Sequence, residues 1–263
     1  MTGSMIEVWE LTKRYPAPGG GEATIVQDFN LKIEKGEFVC VIGHSGCGKS
    51  TVLSIVMGLV PATSGAVIVA GKEVTGPGCD RGVVFQSAAL LPWLSVRDNV
   101  LLALDQVKGT TPHAERVRLA DRYLTQVGLE GAGELRPDDL SAGMRQRVGI
   151  ARAFALESPV LLLDEPFSLL DAMTRLELQD QLLGLWEKSR KTVLMVTHDV
   201  DEAIFLADRI VMMTPGPAAE IGGIVDVPLP RPRSRHDALE SAQYFETRDR
   251  LLGFLESGAA ENH

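Results

Sequence analysis

The segment from Gly43 to Thr51 constrains the fold more than any other part of the chain. It reads Gly-His-Ser-Gly-Cys-Gly-Lys-Ser-Thr and fits the pattern G-x-x-x-x-G-K-[ST]. An apolar run of strand type, residues 37–42, precedes the segment, and a run of helical type, residues 51–58, follows it. A strand, a glycine-rich loop and a helix in this order are the context in which the pattern predicts a phosphate-binding loop.

Each residue type in this loop has a physical reason to be there. Glycines let the backbone turn its N–H groups toward an anion, and the new helix adds its positive N-terminal end. We expect Lys49 to reach the β- and γ-phosphates of a nucleotide and the Ser50 hydroxyl to bind Mg²⁺. The alternative, a glycine-rich turn with a chance lysine, does not account for the flanking elements. The candidate nucleotide-binding residues here are Gly43, His44, Ser45, Gly46, Cys47, Gly48, Lys49, Ser50 and Thr51.

Composition excludes several other classes. The chain has 263 residues, enough for one large α/β domain or for a domain with a subdomain. Its net charge of −9 argues against a nucleic-acid binder that works through a broad basic surface. We find neither an apolar run of the ~18–20 residues that span a bilayer nor a signal peptide, and expect a soluble intracellular chain. The three cysteines lack zinc-ligand spacing.

The order of the segments predicts an α/β fold. Short strands open the chain, with one turn at Lys35-Gly36, and helical patterns between residues 95 and 135 indicate an inserted helical subdomain. Strands and helices then alternate, as in a mostly parallel core sheet. We expect residues 228–235 to lie extended on the surface. The expected strands are 6–11, 66–70, 81–85, 159–164, 192–196 and 209–213, and the expected later helices are 172–188, 201–207 and 244–255.

Three further groups could complete a nucleotide site. Asp164 and Glu165 end a continuous apolar strand, and we expect Asp164 to bind Mg²⁺ and Glu165 to act as general base, although two solvated acids at a strand end remain the alternative. Ser141 and Gly143 begin a helix and form either a second anion-binding surface or a simple helix cap. His198 follows the next strand, where it could contact the γ-phosphate or be an ordinary surface residue.

Together these segments resemble the ATP-binding subunit of an ABC transporter, over residues 5 to 255. Gly43–Thr51 is similar to the Walker A loop of that family, and residues 160–165 are similar to Walker B with its catalytic glutamate. Leu140-Ser-Ala-Gly-Met is similar to the family signature, from which Ala142 and Met144 depart. The resemblance assigns Gln86 to Mg²⁺ sensing, residues 168–171 to the D-loop, His198 to the switch histidine and Tyr15 to stacking on adenine.

The resemblance implies a P-loop NTPase with a mostly parallel core sheet, an N-terminal antiparallel β layer and an inserted helical subdomain. It places the ATP-binding domain at residues 5–240, with the subdomain at about 88–157, and a C-terminal helix and tail at 241–263. The catalytic residues would be Lys49, Glu165 and His198, and the metal ligands Ser50, Gln86 and Asp164. The remaining nucleotide contacts would come from Tyr15, Gln86, Ser141 and Gly143.

The family implies ATP and Mg²⁺ as cofactors and a head-to-tail pair of ATPase subunits, either identical or homologous. A transmembrane permease would be the direct partner and a periplasmic or lipid-anchored solute-binding protein an indirect one, with no nucleic acid. The chain would then lie peripherally at the cytoplasmic face of the bacterial inner membrane.

Three segments resemble the nitrate, sulfonate and taurine importers, and residues 140–150 and 212–217 are most similar to the nitrate branch. The segments are 91–99, 197–203 and 226–233. We therefore expect import of nitrate or nitrite. Sulfonate or taurine import is the first alternative, and an ABC ATPase without a transport role is the second.

Cys47 suggests one hypothesis about reactivity. It precedes Lys49 by two residues at the start of a helix, and both features favour the thiolate. The sequence therefore predicts a lowered pKa and a reactive thiol, protected by Mg-ATP, or alternatively a small residue that only fills space in the loop. Cys40, on a buried strand, should react slowly, and Cys79 lies in a loop.

Overall fold

The computed structural model describes residues 3–17 and 19–260, the last three without their side chains. These residues form two compact units. The first unit comprises the chain up to Gly78 and from Thr192 onward, and the second runs from Cys79 to Lys191.

The chain alternates strands and helices as the sequence pattern predicts. In chain order the elements are β1 (Ser4–Pro16), β2 (Glu22–Glu34), β3 (Phe38–Ile42), α1 (Lys49–Met57), β4 (Ser64–Val69), β5 (Lys72–Glu73), β6 (Arg81–Val84), α2 (Val96–Val107), α3 (His113–Gln126), a 3₁₀ turn (Pro137–Asp139), α4 (Ala142–Ala155), β7 (Val160–Asp164), α5 (Ala172–Ser189), β8 (Thr192–Val196), α6 (Val200–Leu206), β9 (Arg209–Met213), β10 (Ile221–Asp226), α7 (Arg235–Glu240) and α8 (Ala242–Ala260).

The first unit contains two groups of strands. An antiparallel sheet has the order β2-β1-β4-β5, which is the predicted N-terminal β layer. In the other group β3 pairs in parallel with both β8 and β9, and β10 joins β9 antiparallel. Every residue of β3 and β8 is buried, as expected for strands covered on both faces.

The second unit combines a parallel strand pair with packed helices. β6 pairs with β7, while α2, α3 and α4 pack against one another and α4 also packs on β6. The Ser95 hydroxyl caps α2 by accepting from the Asp98 backbone N–H at 3.1 Å, as the sequence predicts. The apolar face of α3 buries Ala120 and Leu124.

The C-terminal region differs most from the sequence expectation. β10 and α7 were not expected, and residues 228–235 are not simply a surface segment. Leu229 is buried, and Arg231 and Arg233 donate to the carbonyl oxygens of Leu206 and Ala207, both at 2.6 Å. These guanidinium groups satisfy the last carbonyls of α6, which a helix end leaves without intrahelical partners. Within residues 3–17 and 19–260, no helix has the length and apolar character needed to cross a membrane.

Candidate nucleotide-binding site

The glycine-rich loop joins β3 to α1 and depends on its glycines. Gly46 and Gly48 have φ of +81° and +99°, which L side chains adopt only with strain. A Cβ at Gly48 would lie 2.7 Å from Cγ2 of Val26 in β2, so a side chain there would have to displace Val26. A Cβ at Gly46 would meet no atom of the described residues within 4 Å, so the loop backbone borders open space at this point. This backbone shape fits an anion held by N–H groups.

Lys49 is turned into the loop. Its side chain is 6% exposed, and Nζ donates to the carbonyl oxygens of Gly43 at 2.8 Å and His44 at 2.9 Å. A buried ammonium needs such partners. The loop therefore holds a positive charge at the place where it could bind phosphate, with Ser50 exposed in the first turn of α1.

His198 leaves the same edge of the first unit as the loop. β8 runs parallel to β3 with Val196 opposite Val41, and the Thr197 backbone N–H donates to the Val41 carbonyl at 3.1 Å. The residues that follow these strands, the loop and His198, therefore emerge side by side. His198 is exposed, and the next residue, Asp199, caps α6 through the Glu202 N–H at 3.0 Å.

Tyr15 lies near the end of β1, opposite Ala23 of β2. Its side chain is 38% exposed, and the Lys13 ammonium stands 4.8 Å from the ring centroid. β2 also carries Val26, the residue that packs against Gly48 of the loop. The first unit thus places an exposed aromatic ring on the strand pair that borders the loop.

The second unit brings Gln86 to Glu165. β6 and β7 are parallel with Val84 opposite Leu163, so the residues that follow them leave at one edge. Gln86 Nε2 lies 3.4 Å from Glu165 Oε2 and 3.1 Å from Ser168 Oγ, and Asp164 directly precedes Glu165. Glu165 has φ of +42°, a strained conformation for a non-glycine residue that is frequent at functional sites.

Ser141 is the N-cap of α4. Its hydroxyl accepts from the Met144 backbone N–H at 3.2 Å, which is the simple capping role considered above. Gly143 is buried, and a Cβ there would lie 2.5 Å from Cγ2 of Thr174 in α5. Close packing against α5 therefore requires glycine at this position. An additional role of Ser141 and Gly143 in anion binding stays a prediction.

Two residues that support this region were missed. Gln146, 3% exposed, donates through Nε2 to the Phe85 carbonyl at 3.0 Å, and Arg152 donates to the carbonyls of Ala88 at 2.8 Å and Ala89 at 2.9 Å. Both side chains tie α4 to the segment around Gln86. The available sequence signal was a glutamine four residues before Ile150, on the apolar face of the helix.

The prediction of a lowered Cys47 pKa is wrong. The residue is 1% exposed, and burial raises the pKa of its thiol more than nearby Lys49 lowers it. A Cβ at Gly43 would lie 2.9 Å from the sulfur, so Cys47 fills the space under the loop. Burial also raises the pKa of Cys40 well above its usual value, whereas Cys79 is exposed.

The residues expected to hold Mg²⁺ include only one acidic side chain. In the part of the chain that the structure describes, no group of three or more His, Cys, Asp and Glu side chains is arranged to hold a metal. The expected ligands are instead a hydroxyl (Ser50), an amide (Gln86) and one carboxylate (Asp164). Such a sparse set fits Mg²⁺, which usually keeps several waters and binds substrate phosphates.

Comparison with known proteins places the chain in a family. Residues 26–168 match the ABC transporter family. The nitrate import ATP-binding protein NrtD of Synechococcus elongatus is 52% identical over 92% of this chain and 88% of its own length. The bicarbonate transport ATP-binding protein CmpD of Synechocystis sp. is 49% identical over 97% and 90%, respectively.

A solved structure extends the comparison to the fold. The dimeric post-hydrolysis state of the ATP-binding cassette MJ0796, bound to ADP and Pi, is 32% identical, with a TM-score of 0.75 over 85% of this chain and 99% of that chain. The match to a nucleotide-bound cassette agrees with the loop geometry described above. The chain therefore belongs to the ABC transporter family, as one of its ATP-binding, ATP-hydrolysing subunits.

Proposed function

We propose that this chain hydrolyses ATP to power the import of nitrate or nitrite through a separate permease. The observation that carries the proposal is the 52% identity to a nitrate import ATP-binding protein over nearly the whole chain. The solute does not touch an ATPase subunit in such a system, so this choice rests on the relatives rather than on the site. The proposed ATP-binding domain covers residues 5–240, with the helical subdomain at about 88–157.

Each site residue has a separate role in ATP hydrolysis. The loop N–H groups and Lys49 bind the phosphates and offset the charge that develops on them. Tyr15 stacks on the adenine ring. Glu165, whose carboxylate is oriented by Gln86, takes the proton of the attacking water. His198, which follows the strand next to β3, binds the γ-phosphate.

Ser50 and Asp164, with Gln86, would hold Mg²⁺, which lowers the cost of charge on the transferred phosphoryl group. Asp164 directly follows the buried residues of β7, so its backbone is fixed by the strand. Ser50 lies in the first turn of α1, where its position is fixed by the helix. Both ligands therefore stand on rigid elements, as metal ligands require.

A second ATPase subunit, identical or homologous, completes each site in this proposal. Ser141 and Gly143 of one subunit would face the γ-phosphate held by the loop of the other, so that ATP joins the subunits and hydrolysis separates them. The dimeric state of the solved cassette with ADP and Pi supports this arrangement. The permease and a solute-binding protein would place the complex at the cytoplasmic face of the bacterial inner membrane.

Bicarbonate is the second candidate solute, because a bicarbonate transport ATP-binding protein is 49% identical over 97% of the chain. Growth of a strain that lacks this gene separates the two. We expect failure on limiting nitrate as sole nitrogen source, restored by the wild-type gene and not by Lys49→Ala. Normal growth on nitrate with a requirement for high inorganic carbon would assign bicarbonate, and loss of taurine or sulfonate use would assign the other branch.

A further inference from the structure

The C-terminal helix α8 contacts two parts of the first unit that carry site residues. Near its end the Leu255 carbonyl oxygen lies 2.8 Å from His44 Nε2, and because a carbonyl only accepts, Nε2 is the donor. Near its start the Tyr244 hydroxyl and Arg248 Nε both donate to Asp201 Oδ1 at 2.7 Å. Asp201 lies in the first turn of α6, three residues after His198.

These contacts come from one face of the helix. Tyr244, Arg248, Leu251 and Leu255 are separated by four, three and four residues, the spacing of a single helical stripe. Leu251 is fully buried and Tyr244 is 5% exposed. Burial and the bond to Asp201 raise the pKa of the Tyr244 phenol, so it remains a donor at neutral pH. Residue 255 follows residue 244 by eleven positions, which span ~16 Å of helix.

Packing holds the helix against the strands as well. The Phe254 ring lies over Gly222 of β10, where a Cβ would come within 2.6 Å of the ring. The helix is thus fixed along its length, by Asp201 near its start and by β10 and His44 near its end. A segment held this way can position a loop that it touches.

We propose that α8 positions the phosphate loop, with the His44 side chain as the positioning residue, and couples the loop to the helix that follows His198. The proposal rests on the proposed nucleotide binding at residues 43–51. The loop backbone binds phosphate, and its affinity depends on how much ordering binding requires. A hydrogen bond that fixes the loop before ATP arrives lowers that cost. His44 therefore acts on KM for ATP through the loop.

The first test compares two His44 variants of the full-length protein. His44→Phe keeps a ring but removes the donor, whereas His44→Gln keeps an N–H donor. We expect His44→Phe to raise KM for ATP about five-fold, the value of one hydrogen bond, with a much smaller change in kcat. Amide hydrogen exchange of residues 43–51 without nucleotide should accelerate. His44→Gln should bring both the KM for ATP and the amide exchange of the loop most of the way back to wild-type values. Arg250→Gln, on the exposed face of α8, should behave like wild type.

The second test uses the far end of the helix. Tyr244→Phe removes a hydrogen bond to Asp201, and Tyr244 lies ~16 Å along the helix from Leu255. Two substitutions this far apart should have additive effects if the sites are independent. If α8 acts as one body, Tyr244→Phe also raises KM, and the double variant with His44→Phe has a KM close to that of His44→Phe alone. Additive effects, or unchanged KM and loop exchange in His44→Phe, would overturn the proposal. A wild-type protein without ATPase activity would instead overturn the proposed function, while loop exchange would still test the role of α8.

Discussion

The side-chain amide of Gln86 lies 3.4 Å from a carboxylate oxygen of Glu165, although 79 residues separate them in the chain. The parallel pairing of β6 and β7 produces this proximity, because both residues follow paired strand ends. Ser168 adds to it, since its hydroxyl donates to the Glu165 carbonyl at 3.0 Å and lies 3.1 Å from the Gln86 amide. These contacts surround Glu165, whose backbone φ of +42° is strained for a non-glycine residue, and this strain supports its proposed catalytic role.

Replacing Glu165 by Gln should separate ATP binding from hydrolysis. The substitution removes the proposed base but leaves Lys49 and the loop intact, so the hydrolysis rate should fall by about 10²–10⁴-fold while ATP still binds. A dimer that persists in ATP should then be visible by size-exclusion chromatography. Glu73→Gln, an exposed change on β5, is the matched control. A Glu165→Gln protein that hydrolyses ATP at the wild-type rate would remove this residue from the mechanism.

Ser141 can be tested as a cap and as an anion-binding residue with one pair of variants. Ser141→Ala should lower the free energy of unfolding by about 1 kcal/mol, because the Met144 N–H loses its acceptor. Ser141→Asp keeps a capping oxygen but adds negative charge. If Ser141 faces a phosphate in the assembled transporter, the Asp variant should be stable and inactive. Normal ATPase activity of stable Ser141→Asp would leave the residue as a helix cap.

Gln146 should stabilise the link between α4 and the Gln86 segment. Gln146→Glu replaces its N–H donor by an acceptor facing the Phe85 carbonyl, which should cost about 1–3 kcal/mol of unfolding free energy. Urea unfolding measures the effect. Gln126→Glu, the last residue of α3, serves as a control at an exposed position. Equal stability of the two variants would show that the bond to Phe85 contributes little.

The parts of the fold that could be predicted were those with strong local patterns. β8 and β9 have the predicted bounds, because each contains four consecutive apolar residues, as strands buried on both faces do. The caps at Ser95 and Ser141 were also readable, since each precedes a helical run. Gly222 and Gly223 interrupt the apolar pattern of β10, which pairs with β9 in spite of them. β10 therefore forms because it pairs with β9, and not because its own sequence has a strand pattern.

In the candidate site, too, the features with a strong local sequence pattern could be predicted and the long-range contacts could not. The spacing of the loop motif was sufficient to predict the shape that the glycines adopt. The contacts of Gln146, Arg152 and His44 join segments that are distant in the chain, and a single sequence carries little signal for such pairs. Cys47 was misjudged for the same reason. The nearby Lys49 and the start of α1 favour a thiolate, but burial by residues elsewhere in the fold has the larger effect on the pKa of the thiol.

Thiol labelling should follow burial rather than position in the motif. Near neutral pH a maleimide should modify exposed Cys79 first, while Cys47 and Cys40 react slowly because both are buried and have raised pKa values. A raised thiol pKa lowers the thiolate fraction at a given pH, so labelling of Cys47 should increase only as the solution becomes more alkaline. Mass spectrometry after a brief reaction measures the three sites, and Cys79→Ala should lose the fast phase and keep ATPase activity. Cys47 labelling as fast as that of Cys79, and blocked by Mg-ATP, would show that the loop opens in solution and exposes an activated thiol.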